Sequence, residues 1–377
     1  MGTDPGQTWV CPGSDPLPTC SAADGPPVGY DRPVPLWGQT GVRTGVRPPS
    51  DPGLSPTVEF INAGHLLGSS YARVQVGGKT ILFGGDLGRY GRPVLPDPSP
   101  VAGADVLLVE STYGDRLHEV DDNGDRLAKI VTDTARQGGK LIIPSFAIGR
   151  VEEVLYWLKR LEDEKRIPVL PVYVDSPMAI GALQFYSSRL NELDAEFAAG
   201  SVPDPRRGTD PRPAGMKRVA AFATTRFVTV SSPQQSADLV ASRQPSIVIS
   251  SSGMATGGRV LRHLAAAISN PKNTVLFVGY QAAGTRGRLL TDGAREIRLL
   301  GRIYPVAARV ERIDSMSAHA DAAEIMRWLS GFSAAPQMTY LVHGDPVALT
   351  ALSAKISAER QWPVHIAAHL ERVALPA

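Results

Sequence analysis

Only two cysteines occur in the 377 residues, Cys11 and Cys20, and both fall near the start. That placement excludes a disulfide framework and gives the body of the chain no thiolate for a metal. No run of about 18 apolar residues is present, which leaves no candidate membrane span. No basic start followed by an apolar stretch marks a secretory leader, so the expected compartment is the cytoplasm, with no membrane partner. An excess of either charge is also lacking. The 39 basic and 37 acidic residues leave a net charge of +2, too little to call for nucleic acid on charge alone. Histidine is scarce, seven in all, and none precedes His65. Imidazole chemistry in this chain therefore begins at that residue.

What is present divides the chain. Residues 1–57 hold 12 of its 32 prolines, no lysine and no periodic apolar pattern. Such a segment buries too little surface to offset its ordering entropy and is expected to be a disordered tail. From Val58 the texture changes. Val58–Ile61, Tyr71–Val76 and Thr80–Phe83 read as strands, with Gly77-Gly78 as a hairpin turn. A buried strand from Asp105 ends at Glu110. Strands then alternate with helices: Leu141–Ile143 before a helix near Arg150–Glu164, Val172–Val174 before one near Ile180–Leu193, and Ser246–Ser250 before Arg259–Ile268. This order indicates a largely parallel sheet flanked by helices. The basic, proline-rich stretch Gly200–Arg218 reads as a solvated loop, with an RNA-contacting arm as the second reading. A helix (Ala322–Leu329), a strand (Met338–Val342), a helix (Val347–Arg360) and a terminal strand pair through Val373 close the chain.

Five residues share one setting. His65, Asp86, Glu110, His319 and His343 each lie at or near the end of an element and are followed by small or turn-forming residues. Singly, each has a bland reading as a turn former or helix cap. Together they are the nitrogen and oxygen donors that zinc accepts, at the strand ends where an α/β fold builds its site. Ser251, Ser252, Gly253, Thr256 and Arg259 form a glycine-bearing turn into a helix, where backbone N–H groups are expected to face an anion. Thr285 and Arg288 sit on a second glycine-rich turn suited to phosphate. His365 and His369 have ligand spacing only if helical, and Pro363 argues against that. His118 and His263 have no partner suggested by sequence.

These segments resemble those of the β-CASP branch of the metallo-β-lactamase-fold nucleases. Further matches are Ile143-Pro144-Ser145-Phe146-Ala147-Ile148-Gly149-Arg150, Asp175-Ser176-Pro177-Met178-Ala179, Ser251–Arg259 and Gly279–Arg288. The resemblance implies an α/β protein: a metallo-β-lactamase αββα core, incomplete here, with an inserted β-CASP domain. Its parts would be residues 58–115, a β-CASP insert over 116–305 closing on the substrate strand, and a return to the core over 306–377. It further implies hydrolysis of RNA phosphodiester bonds with two zinc ions. His65 would bind the first zinc, His343 the second, and Asp86 would bridge both. His319 would protonate the leaving oxygen while Glu110 orients it, and Arg150 would contact phosphate. A homodimer is allowed on the same grounds. The insert's length disfavours small substrates.

The chain departs from the pattern in one respect. The His-x-His-x-Asp-His segment that the resemblance places before His65 is missing. Each zinc is left with two protein donors where three are usual, so weak or lost metal binding is expected. The lactamase-fold strands that should carry the segment are missing too, which should leave an apolar face and a sheet edge uncovered. A displaced start or frameshift in the gene of an active ribonuclease is the favoured explanation. The alternative is a non-catalytic RNA-binding relative acting with an active partner.

Overall fold

Two six-stranded sheets, each set by its own hydrophobic pattern, carry the architecture. The computed structural model describes residues 55–120, 122, 124–194 and 221–374, all within one compact unit. The basic loop at 200–218 and nearly all of the proline-rich start lie outside the described residues. Strand structure is already present at Thr57, one residue inside the expected tail.

The first sheet has the order β1 (Thr57–Asn62), β2 (Ser70–Val76), β3 (Lys79–Phe83), β4 (Val106–Glu110), β13 (Met338–Val342) and β14 (Val364–Ile366). β1 and β2 pair antiparallel, as do β2 and β3, whereas β4 lies parallel to both β3 and β13. One face packs Tyr71, Leu82, Leu107, Val109 and Leu341 against α7 (Ala322–Leu329) and α8 (Pro346–Arg360), with Trp328 buried between. On the opposite face Phe60, Ala72, Phe83, Leu108 and Tyr340 form one cross-strand row. Phe60 is 58% exposed and Phe83 43%, and the small cluster there consists of strand residues. The apolar face and β1 edge expected to be bare are so among the described residues. At the C-terminus β14 is a single strand beside β13, rather than half of a pair, because His365 turns back to Glu371 in the following turn.

The second sheet has the order β12-β9-β5-β8-β6-β7, and every pairing is parallel. Its strands are β5 (Lys140–Pro144), β6 (Val172–Val174), β7 (Phe227–Thr229), β8 (Ser246–Ser250), β9 (Thr274–Val278) and β12 (Arg309–Ile313). α1 (Asp125–Arg136), α2 (Arg150–Asp163) and α3 (Pro177–Ser188) bury one face through Leu127, Val131, Leu155, Leu158 and Leu183. α4 (Pro233–Ala241), α5 (Val260–Ala267) and α6 (Arg286–Thr291) bury the other through Leu239, Leu264 and Leu290. α3 starts before Ile180, because the Ser176 side chain accepts from the Ala179 N–H and Pro177 occupies the first turn. The hairpin β10 (Glu296–Leu299) and β11 (Arg302–Pro305) precedes β12. β12 falls in the section expected from 306 to rejoin the first core, yet its register, Arg309 opposite Thr274, places it in the parallel sheet.

Glu152 is fully buried in the first turn of α2, where the backbone N–H groups of Gly149 and Glu152 itself lie near its carboxylate. Burial pushes this carboxyl up to about 7 from an ordinary value of 4.5. A carboxyl raised in the folded state keeps its proton where the unfolded chain has lost it. Its contribution to stability is therefore full below pH 4.5 and is lost as pH rises through 7. Glu152→Gln should remove that dependence. Urea unfolding should show the variant gaining about 2 kcal/mol on the parent between pH 5 and pH 8; a gap constant with pH would refute the assignment.

Candidate functional site

β1, β3, β4 and β13 all run in one direction, so their carboxyl ends share one edge of the first sheet. Each end delivers a residue: His65 follows β1, Asp86 follows β3, Glu110 ends β4 and His343 follows β13. His319 comes from the turn before α7, where Asp321 caps the helix through the Ala323 and Glu324 N–H groups. An isolated bridge between Gly88 and His319 and the Ala320 N–H bond to the Leu87 carbonyl (2.8 Å) hold that turn against the loop bearing Asp86.

Two backbone contacts bring the loops together. Gly88 donates to the Ala63 carbonyl at 2.8 Å, and a Cβ on Gly88 would collide with Gly64. Gly64 itself has φ +69° and sits against Pro98. Only glycine meets both demands at so close an approach. The His65 loop is closed by the Ser69 Oγ, which accepts from the His65 and Leu66 N–H groups, and is tied to the second sheet's side by Leu67 N–H donating to Tyr186 (2.9 Å).

Glu110 has no solvent exposure. Its carboxylate accepts from the Leu87 N–H (2.5 Å), the Thr112 hydroxyl (2.5 Å) and His319 Nδ1 (2.8 Å). Asp86 and His343 are open to solvent, with 43% and 57% of their side chains exposed, and Asp86 Oδ1 lies 3.1 Å from His343 Nδ1. His65 Nε2 approaches the other Asp86 oxygen at 3.7 Å, and the His65 and His319 rings are 4.5 Å apart. The hydrogen bond from His343 holds Asp86 down to about 2, and the same contact raises His343. Burial, helped by neighbouring His319, lowers His65 to about 4, so it is a neutral imidazole near pH 7. His343 adopts a left-handed backbone with φ 50° and is pinned where the Ser111 N–H donates to its carbonyl.

All five of these residues except the buried Glu110 line a pocket of about 640 Å³. Its other wall comes from beyond the ends of β5, β8 and β9: Phe146, Ile148, Met254 and Tyr280. Thr112, Tyr280 and Asp345 also face it, and the Tyr280 hydroxyl donates to Asp345 at 2.5 Å. None of these three was singled out from the sequence; Thr112 follows Glu110 by two positions, but nothing local marks its hydroxyl as a donor to that carboxylate.

The expected phosphate contacts fare differently. Arg259 turns inward to Asp175 (2.7 Å) and to the Val230 and Ser231 carbonyls. Ser252 Oγ accepts from the Thr256 and Gly257 N–H groups, so the turn spends those donors on itself. Ser251 accepts the Val260 N–H through its carbonyl, and Gly253 is packed beneath Phe146. Thr285 caps α6 by accepting from the Arg288 N–H, and the Arg288 guanidinium pairs with Asp292. Arg150 reaches the pocket wall, but it is 5% exposed and paired with Glu153. Neither the turn at 251–259 nor that at 285–288 contributes one of these residues to the pocket lining. His118 and His263, for which sequence suggested no partner, are both bonded: His118 Nε2 to the His319 carbonyl and His263 Nε2 to Asp175.

Residues 151–290 match the model of the Beta-Casp domain, and residues 303–367 that of the Zn-dependent metallo-hydrolase RNA specificity domain. The chain is 36% identical over 316 residues to Ribonuclease TTHA0252 of Thermus thermophilus, covering 82% of this chain and 68% of that protein. The chain belongs to the β-CASP family of metallo-β-lactamase-fold ribonucleases. It is also similar to the RNase J-like protein of Methanocaldococcus jannaschii (32% over 291 residues, 76% of this chain, 63% of that one) and to transcription termination factor FttA of Pyrococcus abyssi (29% over 308 residues, 78% and 45%). It thus spans less than two thirds of these two relatives. The β-CASP match lies within the parallel-sheet half and the RNA specificity match runs from β11 to the end of β14.

As a member of a zinc-dependent family, the chain can be tested for its donor set. Asp86, Glu110, His319 and His343 place one ligand atom each within 4.8 Å of one another. Imidazole nitrogen and carboxylate oxygen suit zinc in kind. In number they do not suit two ions: Glu110 and His319 are already bonded to each other, which leaves His65, Asp86 and His343 among the described residues. A second group, His118, Asp321 and Glu324, is consumed by the α7 cap and by Arg89 and supports the His319 turn instead.

Glu110→Ala would leave three donors facing a cavity without an acceptor. Chemical denaturation should show a loss of about 3 kcal/mol, at the upper end for a buried hydrogen-bonded group. A loss under about 0.5 kcal/mol, typical of a surface substitution, would contradict the role given to this carboxylate.

Proposed function

We propose that this β-CASP chain carries an RNA phosphodiesterase site at the shared strand edge and that its metal affinity is weak. The observation that carries the reading is the convergence of His65, Asp86, His319 and His343 on one open pocket, with Glu110 buried behind His319, on a chain 36% identical to a ribonuclease. His65 with Asp86 would hold one zinc and His343 with Asp86 the other, two protein donors apiece. Zinc held there would supply Lewis acidity. The chain's own contribution is the dyad. Glu110 takes His319 Nδ1 and thereby fixes the ring, leaving Nε2 to carry a proton for the leaving oxygen of an RNA phosphodiester. Tyr280, Phe146 and Met254 form the side against which a nucleotide would lie. Weak affinity follows from the donor count. A cytoplasmic setting and a homodimer fit this reading.

The same count favours a second reading, an RNA-binding relative without activity of its own. Measuring zinc per chain after dialysis, together with cleavage of single-stranded RNA, separates the two. The first reading expects less than one zinc retained, cleavage only with added zinc, and its loss in Asp86→Ala. Two zincs retained per chain would refute the weak affinity. RNA bound but uncut at saturating zinc would leave only the second reading.

A further inference from the structure

On the opposite edge of the parallel sheet, at the amino ends of β5 and β9, lies a pocket of about 580 Å³ that no part of the ribonuclease reading uses. We infer that it binds a phosphate-bearing ligand of mononucleotide size. Three cations line it: Lys140, the first residue of β5, with Arg243 and Lys272 from the loops before β8 and β9. No carboxylate is among its lining residues. Lys140 is 8% exposed, and burial lowers its ammonium. Only one of its three protons is engaged, by the Leu239 carbonyl at 2.7 Å.

The carboxyl ends of α4 and α5 point to this edge, and their partial negative charge would repel an anion were it left open. It is largely taken up. Lys140 satisfies the Leu239 carbonyl, and Asn273 Nδ2 satisfies that of Ala267 at 3.0 Å. The Asn273 side-chain oxygen in turn accepts the Lys140 N–H. His263, at the pocket floor, is bonded through Nε2 to buried Asp175, which is already neutralised by Arg259. Arg243 and Lys272 are exposed, and neither side chain has an internal partner among the described residues. A buried ammonium with spare protons, flanked by two unpaired cations over a polar floor, is the chemistry that takes up a phosphate dianion.

The pocket is distinct from the first site. β5 joins them, with Lys140 at one end and, just beyond the other, Phe146 in the first pocket. Titration calorimetry at low salt with inorganic phosphate, AMP and a short single-stranded RNA tests the inference. Arg243→Glu/Lys272→Glu, changed only at exposed positions, should weaken binding at least about tenfold. Asp86→Ala, in the other pocket, should leave phosphate and AMP binding unchanged. Loss of phosphate and AMP binding in the double variant identifies a free nucleotide as the source. Loss confined to RNA identifies a strand's backbone phosphate. No binding of any probe, or binding indifferent to the double reversal, overturns the inference.

Discussion

Glu110 stands with no solvent contact at the end of β4 and accepts hydrogen bonds from three separate segments: the loop after β3, the turn that follows β4, and the turn before α7. A buried carboxylate is tolerable only where its desolvation is repaid by donors of this kind. The demand works in both directions. The Leu87 N–H, Thr112 and His319 must stay where they are to keep the charge satisfied, and those positions in turn fix where Asp86 and His343 emerge. Outward from this anchor exposure rises, from Glu110 through His65 and His319 to Asp86 and His343. The groups that set geometry are dry, and those able to meet a metal or phosphate face water.

Much of this was legible in the sequence, for local reasons. β8, α7 and β13 have the bounds that their apolar periods and caps suggest, because period and capping are properties of a few consecutive residues. The five site residues stood out for the same reason: each closes an element and is followed by turn residues. What escaped depends on partners far along the chain. Arg259 looked available for phosphate, yet Asp175, 84 positions away, claims its guanidinium. The turn after Ser251 looked open, yet Ser252 closes it from within. His118 and His263 looked solitary until residues 201 and 88 positions distant met them.

The two sheets contribute unlike halves of the pocket. Charged and imidazole groups come from the first, at the ends of strands that run in one direction. Aromatic and thioether side chains come from the second. A nucleic-acid strand offers the same two characters, a charged backbone and flat bases. With a net charge of only +2, the chain leaves the pocket's polar character to a few placed groups.

The Gly88–Gly64 contact separates two things that usually fail together. Because backbone against backbone sets the spacing of the two loops, the imidazole and carboxylate at their tips are passengers on a frame they do not support. Replacing either tip residue therefore leaves the loop spacing to the glycines, with Glu110 still tying the Asp86 loop to β4. Chemistry at the loop tips and stability of the frame beneath them are set by different atoms, and can be lost separately.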